Sequence, residues 1–323
     1  MLLAIPAEGA VSIPAVLLVL AAILAGAKLF GELAEKIGQP AVLGELIAGV
    51  ILGPSILGFV DPSLPIIHIL AEIGVVILLF QIGLETDVRK LLSVGGTAFM
   101  VAVVGVALPF ALGYLIGNAL GFGHLETLVV AAALTATSVG ITARVLSDLG
   151  RLDDVESRVV LGAAVIDDIV GLVILAVVAK LVAGGELTPV GVSITTLTAF
   201  GFVAVALLVG RFTVPPVFGM LRSVSSEQTL AMMGLVTAFL IAVLADSVGS
   251  AMIIGAFTAG LIFAPSEHAH PIELGVVRLG HFFVPIFFVW VGASVDVRSF
   301  AEPRVLLVGA LLIAAAIIGK VAA

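Results

Sequence analysis

Asp167 and Asp168 stand side by side in VIDDIVG, residues 165–171, inside a stretch otherwise built from valine, isoleucine, leucine, alanine and glycine. Two adjacent carboxylates in such surroundings can hold a small cation or carry protons, since either neutralises them. The segment TATSVGITARVL, residues 135–146, packs small and hydroxylated residues together. Such a stretch favours a locally broken helix, in which unwound carbonyls and the Thr137 and Ser138 hydroxyls are hard oxygen ligands suited to an alkali cation. Hydroxyls bonded back to their own helix are the purely structural alternative. Lys320 supplies the opposite charge. It lies 16 residues past Arg304, about 24 Å along its own run at about 1.5 Å per residue, so it can reach towards Asp167 or snorkel to a polar surface.

The elements that must position these groups follow from composition. With 61% hydrophobic and 11% charged residues, the chain is far from a soluble domain and belongs in a bilayer. Apolar runs of about 20 residues, the length that crosses about 30 Å of hydrocarbon as a helix, recur eleven times. The expected spans are 12–34, 41–59, 64–84, 97–117, 124–146, 155–182, 189–212, 226–245, 248–264, 276–294 and 303–323. Barrel strands would alternate over about ten residues instead, so the expected fold is an all-α membrane protein, a polytopic helical bundle. Asp167, nine residues after Arg158, then lies about 14 Å inside the sixth helix, near mid-membrane. A charged carboxylate there costs about 2.5–3.5 kcal/mol on insertion scales, which marks the pair as functional. Ala163, Ala164 and Gly171, one turn to either side, leave room for a neighbouring helix or a hydrated cavity.

Internal repeats add topology. The second helix reads GELIAGVILGP from Gly44 and the ninth GAFTAGLIFAP from Gly255, 211 residues on. FQIGLETDVRKL and VWVGASVDVRSF share G-x-x-x-D-V-R, with Gly83 and Gly292 separated by 209 residues. Partners seven helices apart cross the membrane in opposite senses, which is an inverted-topology repeat. The expected division is a first repeat over 1–182, a linker helix over 183–223 and four helices of a second repeat over 224–323. A six-helix second unit would need two more helices, so the chain reads as part of a thirteen-helix protein.

Basic residues accumulate on the cytoplasmic side. With the N-terminus outside, the cytoplasmic connections hold Lys28, Lys36, Arg89, Lys90, Arg144, Arg151, Arg158, Arg211, Arg222 and Arg278, against Lys180, Arg298 and Arg304 on the other face. The net charge of −8 gives no reason to expect a nucleic-acid partner. There is no cysteine, no cleavable leader pattern, and no phosphate loop, nucleophile elbow or zinc motif, so neither an enzyme nor a resident cofactor is expected. Glu45, in the second helix, reads as a residue of a helix contact. The histidines have no metal-ligand spacing beyond His268-x-His270, which reads as a solvated loop.

Together GQPAVLGELIAGVILGP (38–54), LLFQIGLE (78–85), TATSVGITARVL (135–146), GAAVIDDIVGL (162–172), PIFFVWVG (285–292) and IIGK (317–320) resemble bacterial sodium/proton antiporters of the NapA type, in the monovalent cation:proton antiporter superfamily. The resemblance covers essentially the whole chain. It implies broken crossing helices, with Thr137 and Ser138 in the first of them. It also implies that Asp168 is the main ion-binding carboxylate and that Asp167 pairs with Lys320 when no cation is bound. Transported Na+ (or Li+ or K+) and H+ are the implied substrates, with a multi-pass homodimer in the bilayer of the inner (plasma) membrane. Potassium/proton exchangers of the Kef type often differ at the residue before the second aspartate, so the Asp-Asp pair favours sodium. A cation channel is a further alternative, which would need a continuous pore.

Overall fold

The computed structural model describes residues 12–85, 95–135, 151, 154–182, 189–222, 226–266 and 269–323. Thr137, Ser138 and the Asp-Val-Arg end of the third-helix motif lie outside the described residues. Apolar runs in lipid satisfy their backbone only as helices or closed barrels, and these fold as helices. In chain order they are α1 (Ile13–Lys36), α2 (Ala41–Leu52), α3 (Pro65–Glu85), α4 (Gly95–Ala119), α5 (His124–Thr135), α6 (Val155–Val182), α7 (Pro189–Arg222), α8 (Glu227–Ser247), α9 (Met252–Phe263), α10 (Ala269–Ala293) and α11 (Pro303–Val321). A short 3-10 turn, Val297–Ala301, joins α10 to α11. No strand occurs among the described residues.

Several helix ends differ from the hydropathy reading, each for a local reason. α2 stops at Leu52 because Gly53 and Pro54 follow, and α9 stops at Phe263 just before Ala264 and Pro265. α10 begins at Ala269, well ahead of its apolar run, since a helix with His270 and Glu273 in its first turns can extend beyond the hydrocarbon. α7 continues to Arg222 past Pro215 and Pro216, which membrane helices tolerate.

The helices pack as two groups. α1, α2, α3, α7, α8, α9 and α10 form one; α4, α5, α6 and α11 form the other. They meet where α6 lies beside α7 and where Val173 of α6 packs near Ile254 of α9.

Within the larger group, glycines set the closest approaches, as expected where helices associate by packing in lipid. A Cβ on Gly49 of α2 would run into the Val289 carbonyl of α10, and one on Gly292 into the Leu46 carbonyl. α9 crosses α3 in the same way: Gly260 abuts the Phe80 carbonyl and Gly83 the Phe257 carbonyl. Leu46 and Phe257, like Gly49 and Gly260, are 211 residues apart; Phe80 and Val289, like Gly83 and Gly292, are 209 apart. Gly44 backs onto the Phe30 carbonyl of α1, and Gly255 onto the Ile241 carbonyl of α8, at that 211-residue spacing again. The turns that follow α1 and α8 also match, with Gly38 and Gly249 in left-handed backbone at φ 76° and 81°.

Close contacts hold the smaller group together as well. A Cβ on Gly113 of α4 would stand 2.9 Å from Ala131 Cα of α5, and one on Gly319 of α11 would stand 2.7 Å from the Pro109 ring of α4. The connection into α11 is tied to both groups: Arg298 donates to the Pro54 carbonyl after α2 at 3.2 Å, and Arg304 to the Leu120 carbonyl after α4 at 3.0 Å.

Candidate functional site

The smaller group brings α4, α5, α6 and α11 together around one carboxylate. Asp167 lies near the middle of the 28-residue α6, with its side chain 7% exposed. Lys320, in the last turn of α11, is held beside α4 by the Gly319–Pro109 contact. From there Lys320 Nζ donates to Asp167 Oδ2 at 2.8 Å. The same ammonium donates to the Thr135 carbonyl at 3.2 Å.

Thr135 is the last described residue of α5. Its hydroxyl donates back to the Ala132 carbonyl at 2.7 Å, so the main-chain oxygen is the group offered to Lys320. The fourth wall is bare backbone. A Cβ on buried Gly105 of α4 would stand 3.7 Å from Asp167 Oδ2 and 3.8 Å from Lys320 Nζ.

Of the residues singled out from the sequence, Asp167 and Lys320 meet directly. Asp168 follows on α6, about 100° further round the helix, and its side chain lies outside the described residues, as do Thr137 and Ser138. Glu45 is on α2, which packs on α1 and α10 in the larger group. His68, 3.5 Å from Glu72, and His270, 3.9 Å from Glu273, each face a carboxylate one turn along their own helix. His268 lies outside the described residues. Sequence reasoning missed the Thr135 carbonyl and Gly105. A carbonyl leaves no mark in the residue code, and a single glycine in VVGVA reads as an ordinary residue of a membrane helix.

The arrangement is a carboxylate with a replaceable partner. A buried acid held by a lysine must be neutralised by something else when the lysine leaves, and a small cation or a proton can each do that.

Comparison with known proteins places the chain in a wider group. The family model described as "Sodium/hydrogen exchanger, transmembrane" matches residues 18–323. The chain is 38% identical to the high-affinity Na(+)/H(+) antiporter NhaS3 of Synechocystis sp., over 95% of this chain and 75% of that protein. It is 34% identical to the Na(+)/H(+)-K(+) antiporter GerN of Bacillus cereus, over 85% of this chain and 70% of that one. The structure of the sodium proton antiporter MjNhaP1 from Methanocaldococcus jannaschii at pH 8 superposes with a TM-score of 0.74 at 18% identity, covering 94% of this chain and 77% of that one. At that identity the likeness speaks for the fold.

Proposed function

The chain belongs to the transmembrane sodium/hydrogen exchanger family, and on that premise we propose that it exchanges Na+ for H+ by alternating access at the Asp167–Asp168 pair. The observation that carries the reading is the ion pair between Lys320 and the buried Asp167. In the resting site Lys320 neutralises Asp167. Na+ entering from one side is taken mainly by Asp168, draws Asp167 to it and displaces the ammonium. Thr137 and Ser138 supply further oxygens. Once loaded, the pair is neutral enough to pass a hydrophobic barrier, and protons arriving from the other side expel the Na+.

The moving body in this scheme is the smaller helix group, and the glycine-locked larger group is the scaffold. Two inverted repeats, 1–182 and 224–323 around a linker at 183–223, give such a transporter its two faces. The matched contacts at 209 and 211 residues' spacing support that division. The larger group is also where a homodimer would form, in the plasma membrane with the N-terminus outside, as the ten-to-three bias of basic residues favours.

Transport of K+ in place of Na+, as in exchangers of the Kef type, is the second reading, and the printed name of GerN includes potassium. One experiment separates them. Full-length protein in proteoliposomes, with a pH-sensitive dye inside, should show proton movement when Na+ or Li+ is added, and much less with K+. A larger response to K+ would replace Na+ by K+ as the substrate. Cation flux with no proton movement would point to a channel.

A further inference from the structure

Neither packing nor helix propensity accounts for a glycine at position 105. At Gly113 a side chain would press on the Ala131 backbone, and at Gly319 on the Pro109 ring, so those glycines are needed for helix contact. At Gly105 a Cβ fits, because its nearest neighbours, Asp167 Oδ2, Lys320 Nζ and Ala323 Cβ, lie 3.7, 3.8 and 3.7 Å away, at ordinary contact distance. Alanine would also be the better helix former, by about 1 kcal/mol. The residue is itself buried, beside Ala102 and Val106, which are 1% and 8% exposed. The missing methyl therefore leaves space against two charged atoms and the Ala323 methyl.

We propose that Gly105 is a positioning residue that sets cation affinity: the clearance it leaves gives the Lys320 ammonium room to move off Asp167 when a cation arrives. This rests on the exchange reading above. The ammonium has three donors, of which one goes to Asp167 and one to the Thr135 carbonyl. As it leaves the carboxylate it can stay on Thr135, but the donor it frees needs a new acceptor, and water can reach that donor only if the space beside it is open. A methyl at 105 takes that space. It makes the separated state drier and harder to reach and leaves the paired state untouched, so Na+ must compete against a pair that opens less readily. The effect acts on the lysine and not on the incoming ion, so it is the same for Na+ and Li+.

The test uses the full-length protein in proteoliposomes, comparing wild type with Gly105→Ala, Gly105→Ser and Gly309→Ala. A Cβ at Gly309 of α11 meets nothing within 4 Å among the described residues, which makes that variant the control for glycine replacement in a membrane helix. Gly105→Ala should raise the KM for Na+ and for Li+ by the same factor, about threefold or more, with the maximal rate within about twofold of wild type. Its Tm should be no lower than wild type, and Gly309→Ala should match wild type throughout. An unchanged KM in folded Gly105→Ala, a loss of rate alone, or a shifted Na+/Li+ ratio would overturn the proposal. If Gly105→Ala does not fold, Gly105→Ser is read for KM in the same way. Misfolding of both makes Gly105 a packing residue, and the proposal falls. Wild-type protein that moves no protons with Na+ or Li+ would instead sink the exchange reading itself.

Discussion

Lys320 Nζ lies 2.8 Å from Asp167 Oδ2 across 153 residues of chain, fastening the end of α11 to the middle of α6. The carboxylate is the more buried partner, so removing the lysine takes the ion pair from a buried charge, whereas removing the carboxylate frees a side chain that is still 27% exposed.

That asymmetry makes Asp167→Asn the more informative variant. If two protons are exchanged for one Na+, each cycle moves net charge, and the membrane potential contributes about 2.3 kcal/mol per charge per 100 mV. In that scheme one proton would ride on Asp168 and the second on Asp167 or on the freed amine of Lys320. Asp167→Asn removes the pair that couples the second proton to Na+, so exchange should shift towards one-for-one and lose its response to voltage. Na+ uptake into liposomes clamped with potassium and valinomycin measures this. Wild-type uptake that ignores the potential would mean electroneutral exchange.

Asp168→Asn should abolish Na+-driven proton movement in everted vesicles while the protein still inserts. Glu45→Gln, on a helix of the other group, should keep most of the rate. Normal exchange by the Asp168 variant would take that carboxylate out of the mechanism.

Protons and Na+ that share carboxylates compete, and the sign of the pH effect follows. Lowering the pH on the side where Na+ binds should raise the apparent KM for Na+ and leave the maximal rate at saturating Na+ little changed. A KM independent of pH over the range in which the protein transports would show that the two ions use separate sites.

Gly49→Val and Gly260→Val should destabilise the protein to a similar degree, because each puts a branched side chain against a facing carbonyl at an equivalent crossing. Overpacking of this kind costs about 1–3 kcal/mol, and more where backbone must move. Thermal unfolding in detergent reads it. One variant melting like wild type while the other fails would break the equivalence of the two crossings.

Most of this architecture was legible in the sequence. Eleven apolar runs match eleven helices among the described residues, and the Gly44/Gly255 and Gly83/Gly292 spacings anticipate which glycines lie at helix crossings. Hydropathy misjudged helix ends where conformation decides them, at Gly53-Pro54, or where a helix leaves the hydrocarbon, at His270. The candidate site was legible as residue types: two aspartates and a lysine too expensive to bury without purpose. Its geometry was not, since hydropathy fixes depth along each helix and says nothing of rotation about it. The family resemblance implied that Asp167 pairs with Lys320, but setting Gly105 and the Thr135 carbonyl beside that pair depends on how α4, α5, α6 and α11 pack.

The two glycine crossings also bear on how the molecule is made. α2 packs on α1 from the first half of the chain, but its crossing with α10, and the crossing of α3 with α9, wait on helices of the second half. During synthesis α2 can seat on α1, but the Gly49 face of α2 and the Gly83 face of α3 must wait in the bilayer, against lipid or a chaperone, until α9 and α10 have left the ribosome. Assembly of the scaffold is therefore a late event, and a ribosome stalled before Ala293 leaves behind inserted helices that have not yet become a fold.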